Sequence, residues 1–289
     1  MSIYRMITMV AFVMFAPFVG GLLDGLDRKI SARMQGRRGP SILQPFYDVM
    51  KLFSKKIMVV NAAQYFMVFS YLFFVIFSGT LFFGGFDLLL CFFSLTTAAM
   101  FLVLAACATH SPFSSMGSQR ELLQMMSYEP MVLLTAVGFY LATGTFNVSE
   151  IIQSNVCPIL KLPGFFIGFV FILSIKMRKS PFDLSTAHHA HQEMVKGITT
   201  EMVGGLYASV EIAEWYENVF LLGVVGLFFM NSNPLSIILA VVMCLVVFFV
   251  ETFIDNVSAR FKWDKVLGWA WTVTLLTGGI NLLILELIA

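Results

Sequence analysis

Glu211, Glu214 and Glu217 stand three residues apart in "EIAEWYE", immediately before an apolar run from Asn218 to Met230. A spacing of three lays side chains along nearly one side of a helix, with a slow drift around its axis. The apolar run ends at "NSNP", Asn231 to Pro234, a turn signal, and its 13 residues make only about 20 Å of helix. Crossing about 30 Å of hydrocarbon takes about 20 residues. The helix must therefore extend back through all three glutamates. A carboxylate at mid-membrane costs at least about 2.5 kcal/mol on insertion scales, so these three must face protein or water rather than lipid. Carboxyl groups buried together favour holding a proton on at least one of them, which makes proton transfer or cation passage the chemistry they suit. The plainer alternative is a set of neutral interhelical hydrogen bonds, with snorkelling at the cytoplasmic end.

A second group lies in "SPFDLSTAHHAHQEMVKGITTE", Ser180 to Glu201, which holds three of the four histidines together with Asp183, Glu193 and Glu201. Histidine titrates near neutral pH, so His188, His189 and His191 suit a proton entry or a polar docking surface for a partner. As a metal site the His188-x-x-His191 pair lacks a further ligand set nearby. The four cysteines are isolated, with no C-x-x-C pair, and read as buried structural thiols, so no cofactor or metal is expected in this chain. Weaker candidates are Glu121 and Glu129, Asp24 and Asp27, and Glu251 and Glu286, the last two near span ends where interfacial charge explains them as well.

The elements that must position these groups follow from composition. The chain has 289 residues, 58% hydrophobic and 12% charged, with mean hydropathy +0.86, outside the range of soluble domains. It is an all-α polytopic membrane protein, read as one membrane domain over 1–289 without repeat, linker or low-complexity tract. Eight spans are expected near 4–26, 62–84, 86–109, 119–143, 160–178, 203–230, 235–255 and 266–288. The N-terminal apolar run is too long for the core of a cleaved signal and is expected to remain as the first span. Alternating the loops puts 16 of the 18 lysines and arginines on one side, leaving only Arg5 and Lys161 on the other. That asymmetry marks the first side as cytoplasmic and puts both termini outside. After the first span, "SILQPFYDVMKLFSKK", Ser41 to Lys56, places Ile42, Phe46, Val49, Met50 and Phe53 on one face of a short amphipathic helix, for either the lipid surface or a soluble partner. Gly21-x-x-x-Gly25 and Gly164-x-x-x-Gly168 favour close helix packing. A net charge of +1 gives no argument for nucleic acid.

Two blocks resemble a known family. "DRKISARMQGRRGPSILQPFYDVMKLFSKK", Asp27 to Lys56, resembles the first cytoplasmic loop of the quinone-chamber membrane subunit of respiratory complex I, through Asp27-Arg28-Lys29, Gln35, Arg37, Gly39-Pro40, Leu43-Gln44-Pro45, Asp48 and Lys51-Leu52. Ser127-Tyr128-Glu129 and Pro181-Phe182-Asp183-Leu184 match two further signatures, and the resemblance covers essentially the whole chain. After Pro-Phe-Asp-Leu the complex I subunit is rich in glutamate, whereas this chain reads "STAHHAHQE". With "EIAEWYE" downstream, that segment is similar to the corresponding subunit of energy-converting (group 4), Ech-type nickel–iron (NiFe) hydrogenases.

The resemblance implies a subunit without a redox centre, anchoring a hydrogenase arm in a prokaryotic cell membrane and coupling hydrogen evolution or oxidation to proton or sodium movement. The nickel–iron centre and iron–sulfur clusters would lie in partners: a hydrogenase large subunit, a small-subunit-like iron–sulfur subunit, a ferredoxin-like subunit and an antiporter-like membrane subunit. Asp27, Glu129, Asp183, Glu193, Glu201, Glu211, Glu214 and Glu217 would form the acidic path. His188, His189, His191, Arg28, Arg37 and Arg38 would serve docking or proton entry. Rival readings are a quinone-site subunit of a complex I-like enzyme, a formate hydrogenlyase subunit, a structural anchor, and a stand-alone transporter, which would show inverted repeats not visible here.

Overall fold

A computed structural model describes residues 3–56, 58, 61–186 and 196–288. The segment with His188, His189, His191 and Glu193 lies outside the described residues. The described chain is helical: α1 (Ile3–Met34), α2 (Gln44–Ser54), α3 (Ala62–Phe83), α4 (Leu88–Cys107), α5 (Pro112–Thr143), α6 (Val148–Ile152), α7 (Pro163–Lys176), α8 (Gly205–Leu227), α9 (Leu235–Val257), α10 (Trp263–Thr274) and α11 (Ile280–Ile288), the last two joined through a π-helical turn at Leu275–Gly279. Six of these rods are long and apolar enough to cross a membrane: α1, α3, α4, α5, α9 and the continuous α10–α11. The two remaining expected spans do not meet that standard. α7 has only 14 residues, and α8 carries the three glutamates.

Local chemistry sets the boundaries. Asn61 caps α3 by accepting from the backbone N–H of Ala63 at 2.6 Å, and Asp87 caps α4 by accepting from Leu89 at 2.8 Å. Gly144 ends α5 in the left-handed region at φ +80, where a side chain would be strained. α1 runs through Asp27, Arg28 and Lys29, residues expected in a loop, and α5 begins seven residues before the expected 119. In both cases polar residues continue the helix because they face the bundle rather than lipid.

Pro17 and Pro130 sit inside α1 and α5, and neither can donate to the carbonyl four residues back. Each freed carbonyl has found another donor. The Tyr216 hydroxyl of α8 donates to Val13 at 2.7 Å, and the Trp271 indole N–H of α10 donates to Met126 at 3.1 Å. The prolines thus fasten α1 to α8 and α5 to α10.

Loop contacts sort into two ends of the bundle. At one, Arg5 donates to Ser149 at 3.0 Å, Val148 N–H to Phe86, Ser232 N–H to Ser154, and the Asn281 amide to Lys161. At the other, basic end, Asn61 donates to Ala108, Gln64 to Glu201, Phe261 N–H to Pro181 and Asn256 to Ser31. The amphipathic helix α2 lies at the basic end, but its buried face differs from the expected one. Val49, with Phe46 and Leu52, packs on Ala208 and Trp215 of α8, whereas Met50 and Phe53 are 67% and 56% exposed. Both glycine pairs make close approaches. Gly25 lies against the Ile42 backbone and Gly21 against the Phe46 ring, so they admit α2 and its approach; Gly164 and Gly168 lie against Thr277 beside the π turn. All four cysteines are free thiols, and only Cys91 is buried as expected; Cys107 is exposed.

Candidate functional site

α7 stops early, and its stopping point makes the site. The Lys176 ammonium at its last turn reaches Glu217, at the middle of α8, at 2.9 Å. α7 therefore covers only the half of the bundle away from the basic end. Where a full helix would continue, residues 177–186 run as turns around a cavity of about 1110 Å³, open toward the basic end. Irregular backbone at this depth is tolerated only against protein or water.

The turn that ends α7 closes with two hydrogen bonds, Arg178 N–H to Ile175 C=O and Lys179 N–H to Ser174 C=O, the pair that normally accompanies a left-handed glycine. Here the left-handed residue is Arg178, at φ +51. A non-glycine residue there costs about 1 kcal/mol or more, and its charge partners hold it. The guanidinium is buried, donates to Glu121 of α5 at 2.8 Å and to Glu214 of α8 at 2.6 Å, and so joins two helices through one cation.

Neighbouring pairs repeat this alternation of acid and base. Glu217 accepts from Tyr71 of α3 at 3.2 Å as well as from Lys176, and Lys176 also donates to Tyr128 of α5 at 3.0 Å. Lys179 meets Asp27 of α1 at 2.7 Å, with Thr252 of α9 donating to the same carboxylate at 2.5 Å. Arg28 makes a bidentate pair with Asp24 and reaches Asp48 of α2 at 2.8 Å. Asp183 is buried, 3.4 Å from Arg260. In each of these pairs the charge sits beside a counter-charge, the condition for keeping ions inside a bundle.

Of the acids singled out in the sequence, Asp24, Asp27, Asp183, Glu211, Glu214 and Glu217 line this one cavity. Glu129 does not; it faces Thr96 of α4 on the flank of α5, next to Tyr128. Glu201 also lies off the cavity wall, its backbone carbonyl accepting from Gln64. Arg28 joins α1 to α2, Arg37 stands at the exposed rim, and Arg38 is exposed beyond it. Sequence reasoning missed Lys176, Arg178 and Lys179, which it counted only among the charges of the cytoplasmic side, and Tyr71, hidden in an apolar helix. It left Glu251 open between a path acid and an interfacial charge, and the residue is buried. Among the described residues no group of three His, Cys, Asp or Glu side chains converges to hold a metal ion.

Nearly half of the residues that line the wall are charged, with Met177, Tyr207, Trp215 and Phe248 as the large apolar or ring side chains among them. A site of this composition suits water and protons, since paired acids and bases linked by water can pass a proton along a row.

The family model described as NADH dehydrogenase matches residues 6–286. NADH-ubiquinone oxidoreductase chain 1 of Mycosarcoma maydis is 28% identical, over 90% of this chain and 88% of that one. Hydrogenase-4 component C of Escherichia coli (strain K12) is 26% identical, over 93% and 91%. In fold, the chain is similar to one from a membrane-bound sulfane sulfur reductase, an archaeal respiratory membrane complex, with TM-score 0.86 and 23% identity over 97% and 99% of the two chains. The chain belongs to the NADH dehydrogenase family, as a multi-pass membrane subunit of a complex I-like oxidoreductase complex.

Proposed function

We propose that this subunit anchors the hydrogenase arm of a ferredoxin-linked, energy-converting nickel–iron hydrogenase and couples hydrogen turnover to movement of protons or sodium ions. The observation that carries this reading is the charged wall of the cavity. A quinone ring with its isoprenoid tail needs a largely apolar sleeve. The wall of this cavity instead carries the Lys176, Arg178 and Lys179 ion pairs. The histidine-rich "STAHHAHQE" and the likeness to Hydrogenase-4 component C support the same choice. The alternative, quinone reduction, is favoured by the relatives described as NADH-ubiquinone oxidoreductase chain 1.

In this reading the cavity acids Asp27, Asp183, Glu211, Glu214 and Glu217 pass protons among themselves, Glu193, Glu201, His188, His189 and His191 supply them, and Glu129 marks the lateral way out. The redox centres belong to the large and iron–sulfur subunits. The deciding experiment supplies inside-out membrane vesicles with reduced ferredoxin, then with NADH. Hydrogen evolution with ion uptake is expected from ferredoxin alone. Quinone recovered from the purified complex, with NADH-driven quinone reduction, would reverse the assignment.

The seven rods that join the two ends, and α7 with the turns that continue it, are proposed to cross the bilayer, with both termini on the side of Arg5 and Lys161. The sorting of loop contacts into two ends supports this. A cysteine replacing exposed Asn155 is expected to react with an impermeant thiol reagent on intact cells, and one replacing Lys56 only in inverted vesicles. The opposite pattern would invert the topology.

A further inference from the structure

We propose that Glu251 is a proton-exchanging group of this cavity, set on α9 away from the line of α8 glutamates; the proposal rests on the ion-coupling reading above. The site has three features. Glu251 is 1% exposed, in a helix that is otherwise apolar over its membrane-crossing length. Neither of its carboxyl oxygens has a hydrogen-bond partner, and the Ser174 hydroxyl of α7 stands beside it without closing a bond. The charged groups that act on it are Lys179 and, from its own helix, Asp255.

The neighbouring residue gives the acid its connection. Thr252 bridges to Asp27 at 2.5 Å and to Lys179 at 3.2 Å, and the Lys179 charge also acts on Glu251, which puts that acid just behind the Lys179–Asp27 pair of the cavity wall. In the arrangement seen, Lys179 serves Asp27 and leaves Glu251 without a donor. A buried carboxylate without donors is not sustained, so Glu251 carries a proton in this state. When Asp27 takes up a proton it no longer needs the Lys179 ammonium, which then compensates an ionised Glu251. The step balances: Glu251 goes from carboxylic acid to carboxylate, Asp27 from carboxylate to carboxylic acid, one proton passes between them through cavity water, and no electrons move. One lysine thus alternates between two acids on different helices, which would give the cavity a stored proton beyond those of α8.

The test uses the whole complex in lipid vesicles, with infrared difference spectra triggered by whichever electron donor drives turnover. A deuterium-sensitive carbonyl band of a protonated carboxyl group is expected in the native complex and lost in Glu251→Gln, together with a several-fold drop in ions moved per turnover. Should Glu251→Gln fail to assemble, Glu251→Asp is expected to keep the band at a displaced frequency. An unchanged spectrum with undiminished ion movement, or a band that follows sodium rather than deuterium, overturns the proposal. Because the trigger does not depend on the donor's identity, the band can be sought even if ferredoxin proves not to be that donor.

Discussion

Arg178→Met is expected to deplete the assembled complex from membranes more severely than any other single change in the cavity. The substitution leaves the Glu121 carboxyl buried without its cation and strips Glu214 of its shortest contact. Breaking one side of a buried pair costs about 3–5 kcal/mol, a large part of the 5–15 kcal/mol that holds a typical domain together. Arg178→Gly separates the two roles of the residue. Glycine relieves a left-handed backbone worth about 1 kcal/mol, yet the lost charge outweighs that gain, so this variant should also be destabilised. Adding Glu121→Gln to Arg178→Met should recover much of the loss, because no buried charge then remains unpaired on α5. Thermal unfolding of the purified complex measures all three. A stable Arg178→Met protein would show that the pair contributes nothing.

Glu214→Gln has the opposite profile. Glutamine keeps the shape and a hydrogen-bond acceptor for Arg178, which retains Glu121, so assembly should be normal. What disappears is a proton-exchanging group midway between Glu211 and Glu217. Ion movement driven by hydrogen turnover is expected to fall by roughly two orders of magnitude, the low end of what a positioned proton-transfer group contributes. A pH-sensitive dye trapped in vesicles, read alongside gas chromatography of hydrogen, gives both quantities. Undiminished pumping would reduce the α8 carboxyls to structural hydrogen bonding, and the coupling role would have to lie elsewhere.

The α8 glutamates were legible in the sequence because two facts confine them: a turn signal fixes one end of the helix, and the apolar run behind it is too short to cross alone. The same reasoning failed for Lys176, Arg178 and Lys179. Hydropathy counts what a segment contains, not how deep it sits, so three bases at and just past the end of an apolar stretch read as charges of the cytoplasmic side. Only the partners on α1, α5 and α8 reveal that they lie at mid-depth. Tyr71 gave no signal, since a tyrosine among phenylalanines reads as one more ring. Glu251 stayed undecided because its position along α9 near a span end fits an interfacial charge as well, whereas its burial depends on which side of the helix faces the bundle. The amphipathic pattern of α2 gave the helix but not its docked face: Phe46, Val49 and Leu52 serve α8, and Met50 and Phe53 point away.

The shortness of α7 has an electrical consequence. With the cavity filled by water and ions from the basic end, the voltage across the membrane falls mainly over the remaining apolar half, about 20 Å of helix from Lys176 outward. Each elementary charge that crosses the full drop exchanges about 2.3 kcal/mol per 100 mV, so rearrangements among the wall's acids and bases sense little of that field. Beyond Glu217, the rest of α8 from Asn218 to Leu227 has no ionisable side chain. In the proposed ion-coupling role the cavity would therefore act as a well rather than a channel, and the work against the field would fall to a neighbouring subunit that receives charge through the flank.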